Sequence, residues 1–288
     1  MTVEISQLAP IASQYSGLSG KVKLGIKVIV FIALDILSMI YAGLQTVYVY
    51  FDWTRKSFDY YGVNPETLPS SAKKTNDVAI VCLNGLYGSQ ADFLPLLSIL
   101  SSMKHPLPIF TGTIKHDGSE MEQLDQVLER VSKVFKKADR TGKLILLGHS
   151  KGVHLALRKA LMKEGASHEN IEYRSVISLA GRIRMTEESE TQHPLRFMYS
   201  DIVDQMKALD VRVKALATDE EAGPCIDFRT LAGSLDWIFG PDSVLRDPSQ
   251  GDTEYQCTIP WRGHVGILFS ARAGSVVKEW VEDIRKHA

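Results

Sequence analysis

The 288-residue sequence has little cysteine. Its three thiols, Cys82, Cys225 and Cys257, form no C-x-x-C pair. A small, odd number of widely spaced cysteines excludes the disulfide frameworks of small secreted domains and does not fit a structural zinc site. The thiols therefore assign neither a metal nor a cellular compartment.

The sequence also lacks an excess of charge of one sign, because its 33 Lys and Arg nearly balance its 34 Asp and Glu. No large positive field exists to hold a nucleic-acid backbone, so we expect no nucleic-acid partner. A hydrophobic content of 44% excludes a disordered chain. The length predicts one core of roughly 200 to 250 residues with an appendage.

One long apolar run, residues 28–51, reads VIVFIALDILSMIYAGLQTVYVYF, and Asp35 is its only charged residue. A helix of this length would extend roughly 36 Å, enough for a hydrocarbon core about 30 Å thick. Asp35, Ser38, Ala42 and Gln45 would form a polar or small stripe on one helical face. We predict a membrane-associating helix, whether spanning or interfacial, with docking on the folded domain as the alternative.

A polar connector at 64–77, NPETLPSSAKKTND, separates this appendage from the rest of the chain. We therefore predict an N-terminal region at 1–66 and a folded domain at 67–288. The Lys and Arg residues flanking the apolar run are nearly balanced, so the side of the membrane stays open.

Short apolar runs alternate with helical patterns from residue 78 onward, which predicts an α/β fold with a mostly parallel sheet and helices on both faces. The predicted strands are VAIVCL, PIFTGTI, KLILL, SVISLA, VKALAT and EYQCTI. The predicted helices lie near 90–103, 121–137, 152–163, 200–209 and 271–286. Reactive groups should lie on loops at the carboxyl ends of the strands.

The strongest motif follows KLILL: Gly148, His149, Ser150, Lys151 and Gly152 form G-x-S-x-G between a strand and a helix. A sharp strand-to-helix turn needs small residues on both sides of the serine, and it lifts the hydroxyl clear of the backbone. We therefore predict that Ser150 is a nucleophile, with a glycine-rich turn capped by a serine as the alternative.

A serine nucleophile needs a base and an acid that orients the base, in the chain order serine, acid, histidine. His264 lies on a loop between the last predicted strand and the last helix, and it is the predicted base. Asp219 ends the run VKALAT and is the predicted acid. Three later aspartates remain alternatives: Asp227, Asp236 and Asp242.

Two backbone N–H groups are needed to stabilise the oxyanion, one after the nucleophile and one after the first strand of the domain. The residue after Ser150 is Lys151, and the first strand leads into the segment NGLYG at 84–88. Leu86 is the predicted second donor. The two glycines of this segment would also suit a merely flexible loop.

Together, four segments of this chain resemble the α/β-hydrolase superfamily, and especially the small bacterial class 2 triacylglycerol lipases. They are VAIVCLNGLYGSQADF, LILLGHSKGVHLAL, SVISLAGRIR and RGHVGILFSARAGSVVKEWV. The resemblance implies an ester hydrolase that uses Ser150, Asp219 and His264, needs no metal or organic cofactor, and acts on lipid acyl esters. The same triad would serve a thioesterase or an acyltransferase, and a catalytically silent, membrane-tethered binding module is the remaining alternative.

Three features depart from the family pattern. Asn84 replaces the usual histidine of the HG segment, so the oxyanion loop must be supported differently. Lys151 stands where uncharged residues are usual, and we expect its side chain to point to solvent, with an acidic substrate group as the alternative. The segment TLAGSLDWIFG at 230–240 suggests a lid insertion over 223–252 or a membrane-contacting tip, with an extra helix covering the core as the alternative.

Overall fold

The computed structural model describes residues 25–37, 40, 44, 58–61, 77–86, 88–104, 107–115, 117–161, 163, 165–183, 226–236, 238–246 and 248–287. Several predictions fall outside these residues: the strand VKALAT, the acid Asp219, the helix near 200–209 and the domain boundary near residue 66.

The described residues form a sheet of seven strands in the order β1-β3-β2-β4-β5-β6-β7. Only β1 runs antiparallel to its neighbour; the other neighbouring strands are parallel. This arrangement confirms the predicted α/β class. The strands are β1 Phe58–Tyr61, β2 Val78–Leu83, β3 Ile109–Gly112, β4 Gly142–His149, β5 Ile171–Leu179, β6 Asp227–Gly233 and β7 Gln256–Ile259.

Helices cover both faces of the sheet. They are α1 at residues 25–37, α2 Leu94–Ser101, α3 Glu120–Lys137, α4 Lys151–Leu161, α5 Pro241–Val244 and α6 Ala271–His287. Short 3-10 turns lie at Gln90–Phe93, Pro248–Gln250 and Gly266–Phe269. Helices α2 and α6 pack on one face, and α3 and α4 pack on the other. The sheet between them is buried on both sides, which explains its continuous apolar strands.

Helix α3 shows why these segments fold as they do. Leu124, Leu128, Val131 and Phe135 recur at helical spacing and are fully buried against the sheet, while charged residues occupy the opposite face. Each such burial contributes about 1.5 to 3 kcal/mol relative to an exposed side chain. Packing of the apolar helix faces on the sheet holds the strand ends, and the loops that follow them, in fixed positions.

The lid interpretation of 230–240 is wrong for its first part. Residues up to Gly233 belong to β6, which pairs in parallel with β5 and β7. Leu231 is fully buried in the core, and Leu235 and Ile238 beyond the strand are also buried. Leu231, Leu235 and Ile238 are therefore part of the core, whereas the ring of Phe239 lies 5.0 Å from the ring of His264.

The predicted apolar helix is partly described. Residues 25–37, 40 and 44 are helical, and the rest of 28–51 lies outside the described residues. Within the described parts of the chain, no helix combines the length and hydropathy required to cross a bilayer. Asp35 is buried against the loop that carries His264. The described part of this helix thus contacts the folded domain through Asp35, which is the kind of contact that the docking alternative predicts.

Candidate active site

The serine of the G-x-S-x-G motif lies in a sharp turn between β4 and α4, the elbow formed by residues 148–152. Ser150 has φ of +52°, in the left-handed region that ordinary residues avoid. A Cβ at Gly148 would lie 2.7 Å from the backbone of Val153, and one at Gly152 would collide with the carbonyl oxygen of Leu83. Both glycines are therefore required by close backbone packing, which keeps the strained serine in place.

The structure brings the predicted base to the predicted nucleophile. His264 lies on the histidine loop, residues 260–265, which follows β7. Its Nε2 is 2.8 Å from Ser150 Oγ, and both residues are buried. A hydroxyl that donates to an imidazole nitrogen at this distance can transfer its proton as the oxygen attacks.

The carboxylate beside His264 belongs to Asp236, one of the alternatives for the acid. His264 Nδ1–H donates to Asp236 Oδ2 over 3.0 Å, since an ionised carboxylate can only accept. The other oxygen, Oδ1, accepts from the backbone N–H groups of Ile238 and Phe239 at 3.0 and 3.1 Å. These bonds fix the carboxylate, which in turn fixes the ring of His264.

The other candidate acids do not occupy this position among the described residues. Asp219 lies outside them. Asp227 starts β6 and pairs with Arg229, at the end of the strand away from His264. The six residues that follow it in β6 extend for about 20 Å, so Asp227 is that far from the carboxyl end of the strand, where the turn that carries Asp236 begins. Asp242 lies within α5, in the segment that follows Asp236.

A second histidine from the elbow supports the base. His149 Nε2–H donates to the carbonyl oxygen of His264 over 3.0 Å, and the two rings lie 5.1 Å apart. Burial, with a smaller contribution from the nearby charge of His264, lowers the pKa of His149 to about 3. The neutral His149 therefore holds the backbone of the histidine loop while adding no charge to the site.

Burial makes stability sensitive to acid at two histidines. The pKa of His154 is lowered by burial to about 4, against 6.5 ordinarily, and that of His149 to about 3. Between these values and pH 6.5 the unfolded chain binds protons that the folded chain does not, so stability falls as the pH falls. At pH 5 each group contributes a loss of roughly 2 kcal/mol.

We expect His154→Gln to reduce the loss of unfolding free energy between pH 7 and pH 5 by roughly 2 kcal/mol. Urea unfolding at both pH values measures this difference, with His287→Gln as the matched control, because the side chain of His287 is 76% exposed. Equal pH dependence in His154→Gln and wild type would contradict the burial argument.

The segment predicted to form the oxyanion loop, whose residues 84–86 and 88 are described, is held by the side chain of Asn84. Asn84 Nδ2 lies 3.0 Å from the carbonyl oxygens of Gly85, Gly88 and Ile114, and its Oδ1 accepts from Ile114 N–H at 2.8 Å. The side chain thus ties the loop to the segment after β3. The support of this segment therefore comes from the residue at which the sequence departs from the HG pattern.

The loop lies directly over the nucleophile. A Cβ at Gly85 would lie 2.9 Å from Ser150 Cβ, so only glycine allows this approach. Leu86 follows in the same turn, which Gly88 N–H closes by donating to Gly85 O at 3.0 Å. The N–H of Lys151 is at the start of α4, where helix geometry provides no intrahelical acceptor. The two predicted donors are thus the residues that directly follow Gly85 and Ser150, which lie in close contact.

We expect Asn84→Ala to lower kcat for ester substrates by roughly 10 to 100-fold, because loss of the tether misplaces an oxyanion donor. It should also lower the unfolding free energy by roughly 2 kcal/mol, since Ile114 N–H is left buried without its acceptor. Asn170→Ala is the matched control, because the amide of Asn170 makes one long bond of 3.4 Å to Arg140 O. An unchanged kcat in Asn84→Ala would show that the loop does not need this tether.

The side chain of Lys151 does not point to solvent, which corrects that expectation. It is buried, and its Nζ pairs with Glu120 Oε1 at 3.2 Å. Glu120 is the first residue of α3. A cation at a helix N-terminus is unfavourable unless it is paired, and Glu120 provides the partner. The ammonium group of Lys151 is therefore directed at α3 within the protein.

Comparison with known proteins bears on the fold. No protein-family model matches the sequence, and no curated protein matches it. Among solved structures, esterase B from Lactobacillus rhamnosis inhibited by a tributyrin phosphonate matches with a TM-score of 0.56 and 12% identity, over 90% of this chain and 96% of that one. Esterase B (HN001) matches with a TM-score of 0.52 and 13% identity, over 90% and 96%.

A soluble variant of monoglyceride lipase from Saccharomyces cerevisiae, in complex with a substrate analog, matches with a TM-score of 0.50 and 13% identity, over 79% of this chain and 91% of that one. At such low identities the likeness concerns the fold. It agrees with the mostly parallel sheet and the alternating strands and helices of this chain. The chain is an α/β-hydrolase-fold protein, as its motifs indicated.

Proposed function

We propose that the chain is a serine hydrolase of carboxylic esters and that lipid acyl esters are its substrates. The observation that carries the proposal is the buried pair of hydrogen bonds from Ser150 to His264 and from His264 to Asp236, of 2.8 and 3.0 Å. A serine hydroxyl is a weak nucleophile unless a positioned base takes its proton. These bonds supply the base and fix its orientation.

In the acylation step, Ser150 Oγ attacks the carbonyl carbon of the ester while its proton moves to His264 Nε2. The imidazolium that forms is stabilised by Asp236 at Nδ1. The carbonyl oxygen becomes an oxyanion, which accepts hydrogen bonds from the backbone N–H groups of Leu86 and Lys151. The bond to the leaving alcohol then breaks, and His264 gives that oxygen its proton, which leaves Ser150 acylated.

In the deacylation step, water replaces the alcohol. His264 Nε2 takes a proton from the water as its oxygen attacks the acyl carbon, and the same N–H groups donate hydrogen bonds to the second oxyanion. Collapse of this intermediate breaks the bond to Ser150 Oγ, and His264 returns the proton to it. The products are the free acid and the starting enzyme. No step in this sequence calls for a metal or an organic cofactor.

The lipid part of the proposal rests on different observations. The structural neighbours include an esterase inhibited by a tributyrin phosphonate and a monoglyceride lipase in complex with a substrate analog. The chain also carries the apolar run at 28–51. These observations favour esters with an apolar acyl chain over small polar esters.

The test is a substrate series on the full-length protein: p-nitrophenyl esters of two, four and eight carbons, tributyrin, a monoacylglycerol and a butyryl thioester. Ser150→Ala supplies the background for each substrate. We expect turnover of the oxygen esters above this background, including the glycerol esters. Turnover confined to the thioester would favour a thioesterase, and no turnover of any substrate by folded protein would favour the binding module.

We also propose that α1 attaches the protein to a lipid surface. Ile29, Val30 and Leu37 are between 48% and 68% exposed, whereas Asp35 on the same helix is buried against the domain. Exposed apolar side chains on a helix of this kind can enter the interface of a bilayer. In flotation with phosphatidylcholine vesicles, wild type should float and Ile29→Asp with Leu37→Asp should not. Equal flotation of both proteins would contradict attachment through α1.

A further inference from the structure

Asp35 is buried on a helix that is otherwise largely exposed. Asp35 is 3% exposed, while its neighbours Leu34 and Ile36 are 46% and 45% exposed. A carboxylate removed from water loses several kcal/mol of hydration unless hydrogen bonds or charges compensate. The position of Asp35 therefore calls for specific partners in the domain.

One such partner lies two residues beyond the catalytic histidine. Asp35 Oδ1 accepts a hydrogen bond of 2.6 Å from the backbone N–H of Gly266, the first residue after the histidine loop. A Cβ at Gly263 would collide with the carboxyl group of Asp35, and one at Gly266 would lie 2.9 Å from Oδ1. The two glycines that flank His264 thus leave the space that Asp35 occupies.

The same face of α1 makes further contacts with the loop. Lys27, Phe31 and Asp35 are spaced by four residues and lie on one side of the helix. Phe31 stacks on Trp261 with ring centroids 5.4 Å apart, and Lys27 Nζ lies 5.7 Å from the Trp261 ring. The guanidinium of Arg262 lies 6.0 Å from the Phe31 ring. Helix α1 therefore contacts the loop on both sides of His264.

The histidine loop is held from two other directions as well. Arg262 O accepts from Leu235 N–H at 2.9 Å, which ties the loop to the turn after β6. His264 O accepts from His149 Nε2–H at 3.0 Å, which ties it to the elbow. Trp261 has φ of +59°, a strained value that a loop keeps only when its surroundings hold it. The hydrogen bond from Gly266 N–H to Asp35 is a third attachment of this segment, and it comes from α1.

We propose that Asp35 is a positioning residue for the proposed hydrolysis: by accepting from Gly266 N–H it holds the histidine loop so that His264 meets Ser150 and Asp236 together. This inference rests on the proposed function. A displacement of the reacting groups by about 1 Å costs roughly 100-fold in rate. The N-terminal helix thereby becomes part of the active site, although 231 residues separate Asp35 from Gly266.

The test compares Asp35→Leu, Asp35→Asn and the control Ile36→Ala in the full-length protein. Leucine keeps the branched shape but has no acceptor, whereas asparagine keeps both the size and an oxygen for Gly266 N–H. We expect Asp35→Leu to lower kcat on p-nitrophenyl butyrate by roughly 10 to 100-fold with KM within about twofold. Asp35→Asn should recover most of that loss, and Ile36→Ala should match wild type.

A second readout does not need ester turnover. The rate constant for phosphonylation of Ser150 by a fluorophosphonate depends on the same base, so Asp35→Leu should lower it in parallel with kcat. Urea unfolding gives the folded fraction of each variant, and rates are expressed per folded molecule. Positioning by Asp35 is overturned if Asp35→Leu labels at the wild-type rate per folded molecule, or if Asp35→Asn is as slow as Asp35→Leu. Labelled wild type that hydrolyses no ester would remove the proposed function and leave the positioning role intact.

Discussion

Replacing Asp236 by asparagine is expected to lower kcat for ester hydrolysis by roughly 10³ to 10⁴-fold. The asparagine amide can donate to His264 Nδ1, which favours the tautomer that carries its proton on Nε2. That tautomer cannot accept the proton of Ser150, so the base is lost even though the geometry is kept. A p-nitrophenyl butyrate assay measures the effect, and KM should change little.

Two variants serve as controls for this prediction. Asp227→Asn weakens the ion pair with Arg229, whose guanidinium also contacts Asp283, so it should affect stability while leaving kcat within about twofold. Asp219→Asn tests the acid predicted from the sequence, and it should also leave kcat nearly unchanged. Full activity in Asp236→Asn, with a large loss in Asp219→Asn, would return the acid to the position predicted from the sequence.

The second large effect concerns the nucleophile and its base. Ser150→Ala and His264→Ala should each lower kcat by roughly 10⁵ to 10⁶-fold, and the double variant should lose no more than either alone. The two residues act as a unit in acylation, because the hydroxyl is a weak nucleophile without the base and the base acts there on the proton of Ser150. Single-turnover assays with a p-nitrophenyl ester measure the hydrolysis rate of wild type and the three variants, after the rate of spontaneous hydrolysis in buffer is subtracted.

The control for this comparison of single and double variants is His154→Gln, which changes a histidine one turn along α4 from Ser150. The Nε2 of His154 interacts with Arg182 O and not with the nucleophile, so kcat should stay within about threefold at pH 8. Losses that multiply in the double variant would mean that Ser150 and His264 act separately, against the proposed mechanism.

The elbow could be predicted from the sequence because its cause is local. A strand, a sharp turn and a helix follow one another within 20 residues, and both glycines of the motif meet backbone atoms of adjacent segments. The histidine was equally accessible, because it stands between the last strand and the last helix of the chain. The supporting role of Asn84 was expected only as a difference from the family, since its bonds to Ile114 cross 30 residues.

The acid was harder to predict because it depends on which apolar run forms the strand next to β5. The run VKALAT precedes Asp219, and the run FRTLAG precedes Asp236 with only a short turn between. Hydrophobicity favoured the first as a strand and the second as a lid. Pairing with β5 and β7 makes the second a strand, and the turn after it delivers Asp236 to His264.

Asp35 illustrates a different limit. The sequence showed a lone carboxylate in an apolar run and indicated that it needed a partner, but nothing local could identify Gly266 as that partner. The partner of Lys151 was hidden in the same way, because Glu120 lies on another helix 31 residues earlier. Such contacts are set by packing between distant segments, which periodicity does not report.

The most direct test of the account is covalent labelling of the full-length protein with a fluorophosphonate, followed by peptide mapping. The account predicts one adduct per chain, located on Ser150 and absent from Ser150→Ala and after heat denaturation. Folded wild type that remains unlabelled, or an adduct on another serine that survives in Ser150→Ala, would contradict it.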